Sequence, residues 1–168
     1  QGIYQSALHE KNNPTVNAYT QFVLNLISEN DYDAIHAHDW LTYAAAVEAK
    51  KGSGLPLIAH VHATEFDRAG AKSGNPLVHE IEYQGLLIAD SIVAVSQNTK
   101  NIIVEKYSIP ESKVQVIHNS IEPHLFKNND GFNHLSYIAH KKSQGYKVFI
   151  SIGRLTVQKG LWFLLEAF

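Results

Sequence analysis

The chain has 168 residues, with 14 Lys and Arg against 16 Asp and Glu, and its net charge of −2 gives no electrostatic sign of a nucleic-acid or anionic-membrane partner. Hydrophobic residues make up 45% and charged residues 18%, which predicts a packed core and excludes a disordered chain. The sequence has no cysteine, so disulfides, thiol nucleophiles and thiolate metal sites are excluded, and it has no apolar run of transmembrane length.

The predicted elements alternate along the chain. A helix begins at Pro14 with Asn13 as its cap, and further helical patterns follow at residues 41–51, 75–89, 97–107 and 158–168. Apolar, β-branched runs between them predict strands at residues 33–38, 55–61, 91–95, 114–118 and 147–152. This order is typical of an α/β fold with a doubly wound parallel sheet, whose strands are buried on both faces.

Composition divides the chain into three parts. Residues 1–122 form the predicted first domain, residues 123–146 a polar linker or loop, and residues 147–168 the first β-α unit of a second domain. The apolar run at 161–168 and the lack of a strand before the first helix predict a chain cut at both ends. We expect the C-terminal helix to allow self-association, because its apolar side chains would be exposed.

A first cluster of polar residues ends the strand at 33–38. Ligands bind beyond the carboxyl ends of strands in open parallel sheets, so His36, His38, Asp39 and Trp40 are candidates. The flat ring of Trp40 and the carboxylate of Asp39 suit sugar hydroxyls. In the alternative interpretation, Asp39 caps the following helix and the two histidines are core residues with satisfied hydrogen bonds.

The next predicted strand also ends in polar residues. Residues 60–68 hold two histidines, two carboxylates, one hydroxyl and Arg68, which is more polarity than packing requires. The alternative is a loop with a helix cap at Thr64 or Asp67 and a surface ion pair at Arg68.

A third cluster, Asn119 and Ser120, follows the strand at 114–118. This position would face a cleft between the two predicted domains. Both residue types are common in turns, so a simple turn is the alternative.

The fourth cluster, residues 153–160, joins a predicted strand to a predicted helix. Gly153 ends the strand, Arg154 follows it, and Lys159 and Gly160 open the helix. Backbone N–H groups at a helix N-terminus attract anions, and the two cations suit a diphosphate. The spacing differs from that of a P-loop, and a solvated basic loop is the alternative.

The four clusters occur in an order that resembles one enzyme family. They read His-x-His-Asp-Trp at 36–40, His-x-Thr-Glu-Phe-Asp-Arg at 62–68, Asn-x-Ile at 119–121 and Gly-Arg-Leu-x-x-x-Lys-Gly at 153–160. Together they resemble the retaining nucleotide-sugar glycosyltransferases of family 4, which have the GT-B fold and include enzymes similar to glycogen synthase, sucrose synthase and sucrose-phosphate synthase. The turn that usually reads Asn-Gly-Ile/Val-Asp is Asn-Ser-Ile-Glu here, and the glycine-rich donor loop that the family carries ahead of these motifs does not occur within residues 1–168.

The resemblance implies two Rossmann-like domains and transfer of a sugar, with retention, from a nucleoside diphosphate sugar to a carbohydrate or other hydroxyl acceptor. The implied catalytic residues are His62, Arg154 and Lys159, the implied donor-binding residues are Gly153, Arg154, Lys159 and Asn119, and the implied acceptor-side residues are Asp39, Trp40 and Arg68. No metal and no cofactor are implied, because the two cations supply the positive charge. We expect a cytoplasmic enzyme, and we expect this chain by itself to be inactive.

Two other classes of function are compatible with parts of the sequence. A metal-dependent hydrolase would use the imidazoles of His36, His38, His60 and His62, which suit zinc, but this reading leaves Arg154 and Lys159 unexplained. A non-catalytic carbohydrate-binding scaffold is the other alternative.

Overall fold

The computed structural model describes residues 14–70, 73–122 and 134–168. The chain divides into two units, Gln1–Asn119 and Ser120–Phe168. The predicted cap at Asn13 lies outside the described residues. None of the helices in the described ranges has the length and apolar character needed to cross a bilayer.

The first unit is built from alternating helices and strands, as predicted. In chain order the elements are α1 (Pro14–Glu29), β1 (Ile35–His38), α2 (Trp40–Ser53), β2 (Leu57–Val61), α3 (Glu65–Ala69), α4 (Pro76–Ile88), β3 (Ser91–Ala94), α5 (Gln97–Tyr107), a 3₁₀ turn (Glu111–Lys113) and β4 (Val114–Val116). The strands are shorter than predicted: β1 and β2 each begin two residues later, β3 ends one residue earlier and β4 two residues earlier.

The four strands form one parallel sheet in the order β1-β2-β3-β4. Ala37 of β1 lies opposite Ala59 of β2, which in turn lies opposite Ile92 of β3. The α/β class with a parallel sheet is therefore confirmed, and the carboxyl ends of all four strands meet at one edge.

Local sequence explains where the helices begin and end. The side chain of Asn75 accepts a hydrogen bond from the backbone N–H of Leu77, and Pro76 occupies the first position of α4. Ser96 caps α5 by accepting from the N–H of Thr99 at 3.1 Å. Gly54 ends α2 with a φ of +75°, a left-handed conformation that glycine adopts without strain.

One face of the sheet forms the core. Its side chains pack with those of α2, α4 and α5 in a single cluster, which includes Ala37, Leu57, Ala59, Val61, Ile92, Ala94, Val114, Tyr43, Val47, Leu86, Ile103 and Tyr107. Sequential strands joined by right-handed connections place the connecting helices on the same face. The sequence predicted burial on both faces, but in the described ranges the second face bears exposed His36 and His38 and half-buried Ile58, His60 and Val93.

The second unit differs from its prediction in three ways. Helix α6 (His134–Ser143) lies within the segment predicted as a linker. Residues 147–152, predicted as a strand, are not part of a sheet, because a strand needs a hydrogen-bonded neighbour and none of the described residues pairs with this segment. The predicted helix at 158–168 is a 3₁₀ turn (Val157–Lys159) followed by the short helix α7 (Leu161–Glu166). Gly160 separates them with a φ of +62°.

Candidate functional site

Asp39 connects the ends of β1 and β2. It occupies the position before α2 but makes no capping hydrogen bond there, so the predicted alternative of a helix cap is wrong. Its Oδ1 instead accepts the backbone N–H of His62 at 2.7 Å, and its own N–H donates to the carbonyl of His60 at 2.9 Å. Because its φ is +59°, the backbone turns sharply at the strand end.

Trp40 and Arg68 lie next to each other beside this turn. The guanidinium carbon of Arg68 is 6.0 Å from the centre of the Trp40 ring, within the range of a cation–π contact. The guanidinium also donates to the carbonyl of Ala63 at 2.7 Å and to Glu65 at 3.0 Å, and it forms an ion pair with Glu82. Arg68 is therefore held by internal contacts, and the pair that the alternative interpretation placed on the surface is largely buried.

Glu82 is the buried acid that the sequence analysis missed. Its side chain is only 4% exposed, and it accepts hydrogen bonds from the N–H of Glu65 at 3.0 Å and from the hydroxyl of Tyr107. Burial raises the pKa of Glu82, although its hydrogen-bond donors and Arg68 act to lower it. For Arg68, burial acts to lower the pKa, but Glu82 and Glu65 outweigh it and raise the pKa.

A sequence signal for Glu82 did exist. Val78, Glu82 and Leu86 recur at four-residue spacing, and all three lie on the buried side of α4. A glutamate in such an apolar stripe indicates an internally paired carboxylate, because an unpaired buried charge is costly.

Helix α3 holds Arg68 in place although it is only five residues long. The hydroxyl of Thr64 accepts from the N–H of Asp67 at 3.4 Å, and the carboxylate of Asp67 accepts from the N–H of Thr64 at 2.7 Å. The helix cap predicted as an alternative at Thr64 is confirmed, and it has the reciprocal form known as a capping box.

The second sheet face gathers four histidines, two from β1, one from β2 and His62 directly after β2. His36 Nε2 lies 3.2 Å from His60 Nδ1, and His38 Nδ1 lies 3.0 Å from His62 Nε2. Adjacent rings stack, with centroids 4.5 Å apart for His36 and His38 and for His60 and His62. Because three of the rings are exposed, the alternative that His36 and His38 are core histidines is wrong.

The histidines influence one another's protonation. Burial lowers the pKa of His36 and of His60, and the neighbouring imidazoles lower both pKa values further. Asp39 acts in the opposite direction on the pKa of His60. His36 and His60 therefore favour the neutral imidazole, whose lone pair is available to a ligand.

Asn119 lies at the same edge of the sheet, three residues beyond the end of β4. It is exposed, and the chain that leads to it is fixed by a hydrogen bond from the N–H of Ile117 to the carbonyl of Ala94 at 3.0 Å. Nδ1 of His118 lies 3.1 Å from the carbonyl oxygen of Val95. Asp39, Trp40, His62 and Asn119 are thus all at the carboxyl end of the sheet.

The basic loop belongs to the second unit. Arg154 and Lys159 are both exposed, and the loop is closed by hydrogen bonds from the N–H of Thr156 to the carbonyl of Arg154 and from the N–H of Lys159 to the carbonyl of Thr156. A Cβ on Gly153 would lie 3.8 Å from Cγ of Lys159, so the lysine stem runs beside the glycine. The two cations are therefore presented on one short, folded loop.

The fold and these residues define a class: a Rossmann-like α/β domain whose candidate site lies at the carboxyl ends of its strands. The family model described as Glycosyltransferase Family 4 matches residues 3–125. The chain belongs to this family, as the order of its motifs predicted.

Two curated relatives illustrate the similarity. An uncharacterized glycosyltransferase of Methanocaldococcus jannaschii is 31% identical over 150 residues, which are 86% of this chain and 38% of that protein. The glycogen synthase of Mycobacterium tuberculosis is 27% identical over 132 residues, 77% of this chain and 30% of the relative. The chain thus spans only 38% and 30% of the lengths of these two curated relatives.

A solved structure of Anabaena Alr3699/HepE in complex with UDP-glucose is also similar in part. It is 17% identical, with a TM-score of 0.47, over 79% of this chain and 33% of that one. That score is below the level at which a shared fold can be concluded.

Proposed function

We propose that the protein acts in a retaining glycosyl transfer from a nucleoside diphosphate sugar to a hydroxyl of a carbohydrate or similar acceptor. The observation that carries this proposal is membership of glycosyltransferase family 4, with a match over residues 3–125. The reaction breaks the bond between the anomeric carbon and the diphosphate and forms a bond to the acceptor oxygen. It therefore requires a group that stabilises the leaving diphosphate and groups that orient both sugars.

In this proposal the carboxyl edge of the first unit binds the sugars. Trp40 offers a flat ring for an apolar sugar face, and the second oxygen of Asp39 remains for a hydroxyl, since Oδ1 is used by the backbone of His62. The side chain of His62 approaches the transferred sugar, and Asn119 contributes on the donor side. Arg68 acts on the acceptor side through Trp40, because its own donors are engaged internally.

The basic loop supplies the charge in the same proposal. Negative charge develops on the diphosphate oxygens as the bond to the sugar breaks. Arg154 and Lys159 stabilise that charge more in the transition state than in the bound donor, so no metal and no cofactor are needed for the step. Gly153 allows the donor to approach the loop, because it has no side chain there.

The two alternative classes receive less support. Family membership favours transfer over a metal-dependent hydrolase, whose four-histidine site would leave the basic loop without a role. A carbohydrate-binding scaffold would retain Trp40 and Asp39 as ligands but would not need two exposed cations on the second unit.

The test measures sugar transfer by the protein, expressed together with any coding sequence that flanks these 168 residues. We expect Arg154→Ala and Lys159→Ala each to lower kcat by about 10²–10³, while Lys142→Ala, an exposed lysine of α6, leaves it unchanged. The anomeric configuration of the product is read by NMR. An inverted product contradicts retention, and unchanged kcat in both variants contradicts the role of the loop.

The 168-residue chain by itself serves as a second test. We expect it to be inactive as a transferase, because positioning of both substrates contributes roughly 7–11 kcal/mol to such reactions and the chain spans only part of its relatives. Release of the nucleoside diphosphate from nucleotide sugars is measured with and without an acceptor. Turnover at about 1–10³ per second would contradict this expectation.

A further inference from the structure

The second sheet face presents three imidazoles to one point. His36 and His38 project from β1, and His60 projects from the neighbouring position of β2. One ring nitrogen from each of the three lies within 4.8 Å of the other two. Since the side chains stand on paired strands, their positions are set by the sheet and not by a flexible loop.

The spacing matches what a late transition-metal ion requires. Two ligands of a tetrahedral zinc ion, with bonds of about 2.0–2.1 Å, lie about 3.4 Å apart. His36 Nε2 and His60 Nδ1 are already 3.2 Å apart. A ring nitrogen of His38 lies within 4.8 Å of the other two, so it has to move by little more than an ångström to reach the spacing of zinc ligands. Rotation of the exposed His38 ring allows this movement.

Two further observations point to a ligand. Nε2 of His60 is buried and has no hydrogen-bond partner in the described ranges, and Nδ1 faces His36 Nε2 at 3.2 Å, so the described residues outside the histidine cluster do not fix the tautomer of this ring. His38 Nδ1 lies 3.0 Å from His62 Nε2, an arrangement in which a neighbour orients a metal-binding imidazole through its other nitrogen.

We infer that His36, His38 and His60 form a binding site for a divalent late transition-metal ion such as Zn²⁺, with His62 as a positioning residue. The ligand set is all nitrogen, which selects Zn²⁺, Ni²⁺ or Cu²⁺ over Mg²⁺ and Ca²⁺. Three protein ligands leave the fourth position to water or a substrate group. The site does not depend on the proposed glycosyl transfer, which needs no metal.

The test is a calorimetric titration of the 168-residue chain with Zn²⁺, and Mg²⁺ is the control ion. We expect one Zn²⁺ per chain and no binding of Mg²⁺. His36→Gln and His38→Gln should each weaken Zn²⁺ binding by more than the roughly 10–100-fold expected for His62→Gln, which removes only an orienting partner. His140→Gln, an exposed histidine of α6, is the matched control and should bind as the parent does.

A spectroscopic measurement keeps the inference testable if a variant fails to fold. X-ray absorption of the zinc-loaded parent should show three imidazole nitrogens at about 2.0–2.1 Å. Absence of stoichiometric binding, equal binding by His36→Gln and His140→Gln, or a coordination shell with fewer than three imidazoles would each overturn the inference. None of these outcomes bears on the proposed transfer reaction.

Discussion

At the scale of single residues, Asp39 combines an unusual backbone conformation with a hydrogen bond across two strands. Its φ of +59° and ψ of +169° fall in a region that only glycine adopts freely. Its Oδ1 satisfies the N–H of His62. The carboxylate therefore compensates for a strained backbone at the candidate site.

This combination predicts how substitutions at position 39 rank in stability. Asp39→Ala removes the hydrogen bond and keeps the strain, so we expect it to lower the free energy of unfolding by about 1–3 kcal/mol. Asp39→Gly loses the same bond but relieves the strain, so it should lie above Asp39→Ala by about 1 kcal/mol. Urea denaturation followed by circular dichroism measures both. Equal stability of Ala and Gly variants would show that the backbone is not strained.

Glu82 provides a second prediction at this scale. Glu82→Gln removes the more deeply buried of the two carboxylates that pair with Arg68, while Glu65 stays in place at 3.0 Å. Loss of one partner of a buried pair costs roughly 3–5 kcal/mol. We expect the lower end of that range, because the Arg68 side chain is 25% exposed. Glu80→Gln, on the exposed side of the same helix, should change stability by less than about 0.5 kcal/mol. Thermal or urea unfolding of both variants tests this prediction. Equally small losses of stability in the two variants would contradict it.

At the scale of elements, helices α2 and α4 approach each other closely at Gly85. A Cβ on Gly85 would lie 2.6 Å from Cγ of Tyr43, a buried ring whose hydroxyl donates to the carbonyl of His60 at 3.4 Å. The contact between the two helices thus leads to the strand that carries the histidines. The space beside Gly85 is a requirement of packing, since helix propensity by itself favours alanine.

Two glycine substitutions separate packing from propensity. Gly85→Ala gains helix propensity of about 1 kcal/mol but forces Tyr43 to move, and overpacking costs typically about 1–3 kcal/mol, so we expect a net loss of stability. Gly52→Ala lies in the last turn of α2 with open space around it and should stabilise by up to about 1 kcal/mol. Opposite shifts in the unfolding midpoint are the expected result. A stabilising Gly85→Ala would mean that the helices can separate without cost.

At the scale of the whole molecule, the second unit exposes a large amount of apolar surface. Ile152 is 95% exposed, Leu155 is 91% exposed, and Phe168 is 75% exposed. The largest exposed apolar patch on a typical monomeric protein covers about 300–600 Å². Larger patches are uncommon on monomers and indicate association. Self-association of the 168-residue chain therefore remains a prediction of both the sequence and the structure.

Sedimentation velocity over a range of concentrations tests this prediction. We expect the mean mass of the chain to rise with concentration, and we expect the double variant Ile152→Ser, Leu155→Ser to reduce the rise because it removes apolar area. Ile121 is also exposed but precedes the helices of the second unit, so Ile121→Ser serves as the control variant. A monomer at every concentration would contradict the prediction.

The sequence by itself determined the class of fold and the order of its elements. Helix α5 lies at the residues predicted from its pattern, and β1, β2, β3 and β4 all lie within the predicted runs, because apolar periodicity and capping residues act locally. The motif order also predicted family 4, which the match over residues 3–125 confirms. The strand at 147–152 could not be predicted reliably, because a strand depends on a partner elsewhere in the chain.

Only the tertiary structure decided what the polar residues contact. It showed that Asp39 links two strands and does not cap α2, as the alternative interpretation had it, and it revealed Glu82 as a buried partner of Arg68. It also brought His36 beside His60, although they are 24 residues apart in the chain. The physical reason is that register between neighbouring strands brings distant residues together, and no local pattern of a single strand encodes that register.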